Sequence, residues 1–493
     1  DRHLQRDQVA FTATIGACSK ADQWRASASL LESMSFGASP TLVACNAHCD
    51  ACAGARRWPR ALMQLHATSW LALQPNLVTF NSALAGCEKG YEWEHGLVLL
   101  ASMERAHLQA EMISFSSAIS ACEKRGQWAM AMHLLQRMHM RRLRADAVAM
   151  CAAMSACEKA GQWEIALALL EPTLECAQTS LDFGCAFSAV LGAAERGMAW
   201  WMALALLNNA VEMRVSASGM YAGTVASALR KAFGDQRAID FLKSSRSLWQ
   251  QGPCQASREY PESTQGVHIL GEAPGIVVLL KEADVRTEAL VNAASSKLKE
   301  ELFVVSRLDR PTSGLLPLAR NVPAMNWLQA QFSARLVQKE YVCLCEGESL
   351  GKIGTRGSIE EPLHAWIWPG EVGRTEVAPF GREAITQYQV DGRFGDGRGE
   401  GSPLELMLLS VHPKTGRMHQ IRAHLASTGR PIVGDVIYGP SQFAVQSDRM
   451  FLHCRRLCLL DLEAKPFEIV ADLPQGLQEL LQHLQPKSEG EAG

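Results

Sequence analysis

The sequence predicts a chain of two unlike parts, an all-α solenoid of stacked helix pairs followed by a mixed α/β or α+β domain. Three observations predict it. A period of about 35 residues runs through the first half, it lapses over residues 247–265, and beyond that point the apolar spacing shortens toward two, as strands require.

Tryptophan recurs at Trp24, Trp58, Trp93, Trp128, Trp163 and Trp200, with gaps of 34, 35, 35, 35 and 37 residues. Six residues ahead of each stand Cys18, Cys52, Cys87, Cys122, Cys157 and then Ala194, so two residue types keep one register. After each Trp the apolar positions advance with helical spacing (Trp128, Ala131, Leu134, Leu135, Met138), and before each Cys lies a second helical pattern (Phe115, Ile119, Cys122). Gly126 and Gly161 stand where the first helix of a pair would stop in a left-handed cap. A pair this short cannot bury its own apolar face, so successive pairs must stack, and the periodic Cys and Trp are their core.

Cys45, His48, Cys49 and Cys52 gather soft metal ligands in eight residues. Yet the three cysteines have the spacing of one helix face and Cys52 belongs to the repeat register, so no metal is expected. The basic run Arg137, Arg141, Arg142 and Arg144 suits either contact with phosphate or a solvated helix end.

At 493 residues the chain is too long for one core. With 47% apolar and 20% charged residues it reads as globular, and a net charge of −3 excludes a strongly basic nucleic-acid binder, so RNA contact must rest on local patches. No apolar run reaches the roughly 18 residues of a spanning helix, and no membrane partner is expected. The first residue is Asp1 rather than Met, so a fragment or processed form is expected, with any targeting segment upstream. The 15 cysteines follow the repeat rather than a disulfide framework and are expected reduced, in an intracellular compartment, organelles included. The expected domains are a solenoid of about six repeats at 1–246, a linker at 247–265, the second domain at 266–485 and a disordered tail at 486–493.

The segments "VTFNSALAGCEKG" and "ISFSSAISACEKRG" resemble the opening helix of a pentatricopeptide repeat. That resemblance implies single-stranded RNA as the ligand, each base being read by a polar pair drawn from adjacent repeats. The pairs would be Thr12/Thr41, Asn46/Asn76, Asn81/Glu111, Ser116/Asp146, Cys151/Phe183 and Ser188/Ser218. Of these, Asn46/Asn76 and Ser116/Asp146 look like the family's usual combinations. A 34-residue period would instead suit a tetratricopeptide array, so a solenoid that docks a protein partner is the alternative.

Three ordered stretches of the second part, "SRLDRPTSG", "KEYVCLCEG" and "TGRMHQIRAHLASTGRPIVGDVIYG", resemble the pseudouridine synthases of the RluA type. The likeness spans about 266 to 480. It implies an α+β domain on a mixed, largely antiparallel sheet that isomerises uridine to pseudouridine in ribosomal, transfer or organellar RNA, with no cofactor. It also implies Asp309 as the catalytic acid, Tyr341 as the residue packed on the target base and Arg422 as the ion-pair partner. Arg307, Arg310, Lys339, Arg417, His419 and Gln420 are expected to contact substrate or support the motif loops. Two departures stand out: Ser306 replaces the family's usual His, and "KEADV" (Lys281 to Val285) replaces a KPxG turn. The rival to this reading is an RNA-binding adaptor whose catalytic domain has decayed.

A physical argument runs beside the resemblance. A free Asp, with a pKa near 3.9, is ionised at neutral pH. Desolvation under bound RNA raises that value by up to roughly 3 to 5 pH units, and a neighbouring guanidinium lowers it by about 1 to 3. Arg422 is therefore expected to keep Asp309 charged and to aim it through a bidentate pair. The Thr312-Ser313-Gly314 segment is expected as the turn that holds the acid, with Arg307 and Arg310 neutralising it or meeting phosphate.

Overall fold

The computed structural model describes residues 8–35, 39–176, 180–212, 219–245, 266–366, 373–395, 404–440 and 447–487. The expected linker, Ser218 and the side chain of Phe183 lie outside the described residues. The chain divides near residue 215 into two compact units.

The first unit is a run of helices: α1 (Gln8–Lys20), α2 (Trp24–Ser35), α3 (Leu42–Gly54), α4 (Trp58–Trp70), α5 (Leu77–Gly90), α6 (Trp93–Arg105), α7 (Met112–Lys124), α8 (Trp128–Met140), α9 (Ala147–Ala160), α10 (Trp163–Cys176), α11 (Ser180–Arg196) and α12 (Trp200–Glu212). Every periodic Trp is the first residue of the second helix of its pair. The glycines explain part of the register. A Cβ on Gly90 would lie 2.4 Å from the Trp58 ring and one on Gly197 would lie 2.6 Å from that of Trp163, so each indole occupies the space a side chain of the next repeat would need.

Cys45, Cys49, Cys52, Cys87, Cys122 and Cys157 are buried. Burial pushes the Cys87 and Cys122 thiols up to about 12, so they pack as protonated core groups. His48 holds Ser27 Oγ at 2.7 Å through Nδ1 and lies 3.5 Å from Cys52 Sγ through Nε2, which occupies both ring nitrogens inside the helical core. Cations tie neighbouring repeats at the negative ends of their first helices. Arg125 Nε donates to the Tyr91 carbonyl at 2.9 Å, and Lys159 Nζ donates to the Glu123 carbonyl at 2.8 Å and its carboxylate at 2.7 Å. In the basic run, Arg137 and Arg141 both pair with Glu104 of the preceding repeat.

The second unit opens with α13 (Gly219–Phe233) and α14 (Asp235–Ser244), and continues as β1 (His268–Ala273), β2 (Ile276–Lys281), α15 (Thr287–Leu298), β3 (Phe303–Val304), β4 (Ser313–Ala319), α16 (Val322–Ser333), β5 (Gln338–Glu348), β6 (Arg356–Ile359), β7 (Leu363–Trp366), β8 (Arg374–Val377), β9 (Thr386–Gly395), β10 (Leu404–Pro413), α17 (Gln420–Ser427), β11 (Leu452–Leu460), β12 (Pro466–Val470) and α18 (Gln475–Gln482). Ten strands form one sheet, with the path β1-β2-β4-β11-β5-β10-β9-β6, while β3 joins β4 and β12 joins β11. All its pairings are antiparallel except that of β4 with β11. The sheet is mixed and largely antiparallel, and β7 and β8 form a separate hairpin.

The repeat reading counts residues up to 246 with the solenoid, whereas α13 and α14 belong to the second unit. The reason is close packing of α13 on α16, where a Cβ on Gly223 would lie 2.7 Å from the Ala330 carbonyl. Arg230 adds a hydrogen bond to the Arg335 carbonyl at 3.3 Å. Likewise the first two residues of the expected disordered tail are paired: Pro486 bridges Phe394, and the Lys487 amide donates to the Arg393 carbonyl at 2.9 Å.

Thr312-Ser313-Gly314 is not the expected turn, because Ser313 and Gly314 already begin β4, all seven residues of which are buried. The parallel contact with β11 demands a glycine here. Gly314 has φ +123°, and a Cβ on it would lie 2.3 Å from the Cys454 carbonyl. Gly314→Ala is therefore expected to destabilise the second unit by at least about 1–3 kcal/mol from backbone strain alone, read as a lowered urea midpoint. An unchanged midpoint would mean that β4 and β11 separate at no cost.

Candidate active site

The chain from β3 to β4, residues 305–312, carries the candidate acid on a short loop rather than on a strand. The Thr312 amide donates to the Asp309 carbonyl at 3.0 Å, closing a turn that turns the Asp309 side chain toward α17. Asp309 Oδ2 lies 3.5 Å from Arg422 Nη1 and 3.9 Å from His419 Nε2. Asp309 keeps about a quarter of its side-chain surface accessible, while Arg422 is almost completely buried.

The guanidinium fork is spent on another acid. Arg422 Nε donates to Asp435 Oδ2 at 2.7 Å and Nη2 donates to Asp435 Oδ1 at 2.8 Å, leaving only Nη1 for Asp309. The expected bidentate Arg422–Asp309 pair is thus corrected: the two-toothed partner is Asp435, and Asp309 receives one long contact. Burial works to raise the Asp435 carboxyl. The Arg422 hydrogen bonds and charge, helped by the amides of Ile437 and Tyr438, outweigh burial and hold it below the usual carboxylate range.

Tyr438 closes the cluster from one side. Its ring lies 5.1 Å from the Arg422 guanidinium carbon, and its hydroxyl accepts from the Thr375 amide at 2.6 Å and lies 3.0 Å from His419 Nδ1. His419 enters from a left-handed position, φ +51°, immediately before α17. Burial pushes its imidazole below the ordinary value against the opposing pull of Asp309. Tyr341, on β5, is buried, and burial with the nearby Cys454 and Asp309 pushes its hydroxyl well up.

The other expected substrate contacts divide. Arg307 and Arg310 do not pair with Asp309: Arg307 faces Glu288 at 3.8 Å and is largely exposed, and Arg310 Nε donates to the Asp284 carbonyl at 3.2 Å. Lys339 Nζ donates to Ser306 Oγ at 3.3 Å and lies over the Phe332 ring at 5.0 Å, so the residue that replaces the usual His is used as an acceptor. Arg417 donates to the Glu383 carbonyl at 3.0 Å. Gln420 is buried and turned inward, accepting from Thr415 and the Arg417 amide and donating to the Ile385 carbonyl and Thr386, so it braces its own loop.

A family model described as RNA pseudouridylate synthase matches residues 267–427, and a PPR repeat model matches residues 113–143. An RNA pseudouridine synthase of Chloroflexus aurantiacus is 39% identical over 186 residues, 38% of this chain and 54% of that protein. The dual-specificity RNA pseudouridine synthase RluA of Vibrio cholerae is 32% identical over 191 residues, 38% of this chain and 73% of that protein. The chain belongs to the RNA pseudouridine synthase family. It spans about half the length of the Chloroflexus relative and about three quarters of the Vibrio one. The maize pentatricopeptide repeat protein PPR10 aligns with 50% of this chain and 40% of its own length at 18% identity and a TM-score of 0.38.

Two residues of the synthase cluster, Asp435 and Tyr438, escaped the sequence reading. Their signal was present, because both stand in "GDVIYG" at the end of the third quoted motif.

In the solenoid, three of the expected pairs meet. Asn46 Nδ2 donates to Asn76 Oδ1 and Ser116 Oγ donates to Asp146 Oδ1, each at 3.4 Å, and the Thr12 and Thr41 hydroxyls are also 3.4 Å apart. Asn81 is instead bonded by Ser114 at 2.7 Å. Thr41, Asn76 and Asp146 are also helix N-caps, accepting from the amides of Ala44, Thr79 and Ala149. Two residues beyond each cap, in the same register, stand Val43, Val78, Ile113 and Val148, and each is more than half exposed. An exposed apolar stripe thus keeps the same register as the row of polar pairs. The sequence reading passed over it because it sought only the buried register.

Asp435→Asn is expected to leave the Arg422 charge buried without its counterion, at a cost of about 3–5 kcal/mol. The folded Asp435 carboxyl lies below its ordinary value of 3.8, so its stabilisation is complete above that pH and is lost as pH falls through the folded value. Urea midpoints measured from neutral to acid pH therefore converge for wild type and variant in acid. A constant gap across that range would contradict the assignment.

Proposed function

We propose that this chain converts uridine to pseudouridine in RNA, with Asp309 as the reacting carboxylate and the solenoid holding a single-stranded segment of the substrate. The observation that carries the reading is Asp309 Oδ2 at 3.5 Å from a buried Arg422, inside motifs shared with the family.

Breaking the glycosidic bond, turning the uracil over and rejoining it through carbon requires a group on the ribose side. An ionised carboxylate serves there as nucleophile or base. The uridine must leave its stack to reach it, and Tyr341 packs against the exposed base. Arg422 offsets the loss of water around Asp309 once RNA covers the site. Because Asp435 holds the Arg422 fork, Asp309 is stabilised without being tied up by two strong hydrogen bonds, so a lone pair stays available for attack.

The solenoid contributes the row of polar pairs, Asn46/Asn76 and Ser116/Asp146 among them, and the stripe Val43, Val78, Ile113 and Val148. Bases seated between successive aliphatic side chains present their edges to the polar pairs.

Incubating the purified chain with total RNA and mapping pseudouridine is expected to give product at discrete sites, and Asp309→Ala to abolish it while leaving the thermal melt unchanged. Product from the alanine variant equal to wild type would remove Asp309 from the reaction. For the solenoid, Val78→Asp with Ile113→Asp is expected to weaken binding of the modified RNA by about 5- to 100-fold for each stacked base lost. Unchanged RNA affinity would favour a solenoid that docks protein.

A further inference from the structure

We propose that the helix-turn edge of the first two solenoid repeats, where three guanidinium groups gather on Trp24, binds the sugar-phosphate backbone of RNA outside the strand seated on the polar pairs. This inference rests on the reading of the solenoid as an RNA-binding array.

A chain of net charge −3 meets RNA through local patches, and the basic run at 137–144 supplies less of one than its sequence suggests, because Arg137 and Arg141 are spent on Glu104. A denser patch lies elsewhere. The guanidinium carbons of Arg25, Arg57 and Arg60 lie 5.4, 5.7 and 5.7 Å from the centroid of the Trp24 ring, and all three residues are exposed. Arg56 stands beside them in the turn that leads into α4. Among the described residues no carboxylate pairs with Arg25, Arg56 or Arg60. Three like charges on one indole repel one another, and the ring offsets that only in part. An anion laid across them removes the repulsion, and a guanidinium held over a ring keeps N–H donors for phosphate oxygens.

The rest of the array shows where the patch ends. In the third repeat the periodic Trp is flanked by Glu92 and Glu94, and in the fifth it is followed by Glu164. Cations that recur on this edge are paired with the preceding repeat, Arg125 with Glu92 at 3.8 Å and Lys159 with Glu123 at 2.7 Å. Among the described residues the edge is therefore cationic over its first two repeats and mixed or acidic beyond them.

Position favours RNA over an acidic protein as the polyanion. These two repeats also contribute the polar pairs Thr12/Thr41 and Asn46/Asn76, so RNA engaged there brings phosphates past this edge. Thr41 caps one end of α3 and Arg56 and Arg57 follow the other, which puts about 20 Å of helix between the Thr12/Thr41 pair and the patch. A nucleotide seated on that pair does not carry its own phosphate to Trp24. The patch meets another stretch of the same RNA, and it does so without regard to sequence, since phosphates carry none.

The test follows the fluorescence anisotropy of an end-labelled random-sequence RNA pool of about 40 nucleotides on the full chain, between about 50 and 200 mM salt. Arg25→Gln with Arg60→Gln removes two phosphate contacts, each contributing about 0.7 to the slope of log affinity against log salt for a single strand. Wild type is therefore expected to lose about 7-fold more affinity than this variant across the range, and Arg25→Lys with Arg60→Lys to follow wild type. Arg105→Gln with Arg141→Gln removes the same charge where the solenoid already bonds it, and is expected to keep the wild-type slope. Equal slopes for wild type and the Arg25, Arg60 glutamine variant overturn the proposal and leave this face to an acidic protein. An equal fall in the Arg105, Arg141 variant overturns it in favour of net charge, and a fall in the lysine variant that matches the glutamine one overturns it in favour of packing on Trp24. A wild type that does not bind the pool overturns it as well. Should wild type make no pseudouridine, or Val78→Asp with Ile113→Asp bind RNA as tightly as wild type, those readings fail by themselves; the salt comparison depends on neither turnover nor base stacking.

Discussion

The site depends on one buried ion pair, Arg422 with Asp435. A guanidinium taken almost wholly out of water is tolerable only if its donors are met. Asp435 meets two of them with good geometry and is itself fixed by the amides of Ile437 and Tyr438. The groups that approach Asp309 from the α17 side are anchored to this pair: Tyr438 lies against the guanidinium, His419 is held by the Tyr438 hydroxyl, and Nη1 is left pointing at Asp309. The pair is nearly neutral as a unit. It therefore gives Asp309 a fixed donor and a modest field instead of the full attraction of a free cation.

Much of this was legible in the sequence, and the gaps have physical causes. The tryptophan register announced the helix pairs because stacking repeats demand the same large residue at the same place each time. The pair α13 and α14 was misassigned because helical periodicity alone does not say which surface a helix packs on; α13 lies on α16, where Gly223 permits the approach. Asp309 and Arg422 were found through their motifs, yet the partner of the Arg422 fork was not. Two carboxylates lay in matching motifs, and spacing along a chain does not reveal which one a five-donor side chain selects. For Gln420 the reading left open substrate or the motif's own loop, and its hydrogen bonds fall on the loop. A polar side chain in a loop looks the same in sequence whether it faces solvent or, as here, its own backbone.

Lys281 illustrates the opposite error. Its segment drew attention as a departure from a pattern, and the departure concealed what was kept. Of the residues that changed, Asp284 bonds the Asp309 loop through its main chain from a left-handed conformation, φ +62°. Lys281, which did not change, reaches that loop through its side chain, its ammonium donating to the Asp309, Arg310 and Thr312 carbonyls.

In the solenoid the same residues cap helices and face the proposed ligand, and this limits what an array can read. Thr41, Asn76 and Asp146 each accept an amide hydrogen bond that begins the next helix, so at these three positions the second member of an expected pair is also a cap. Replacing one by an apolar residue would cost about 0.5–2 kcal/mol of helix stability. Thr, Asn and Asp stand at these three positions, while Glu111 and Phe183 stand at two of the others. The first member carries a different demand: Asn46 accepts from Thr79 and Asn81 from Ser114, each at 2.7 Å, so these amides are held by the helix that follows.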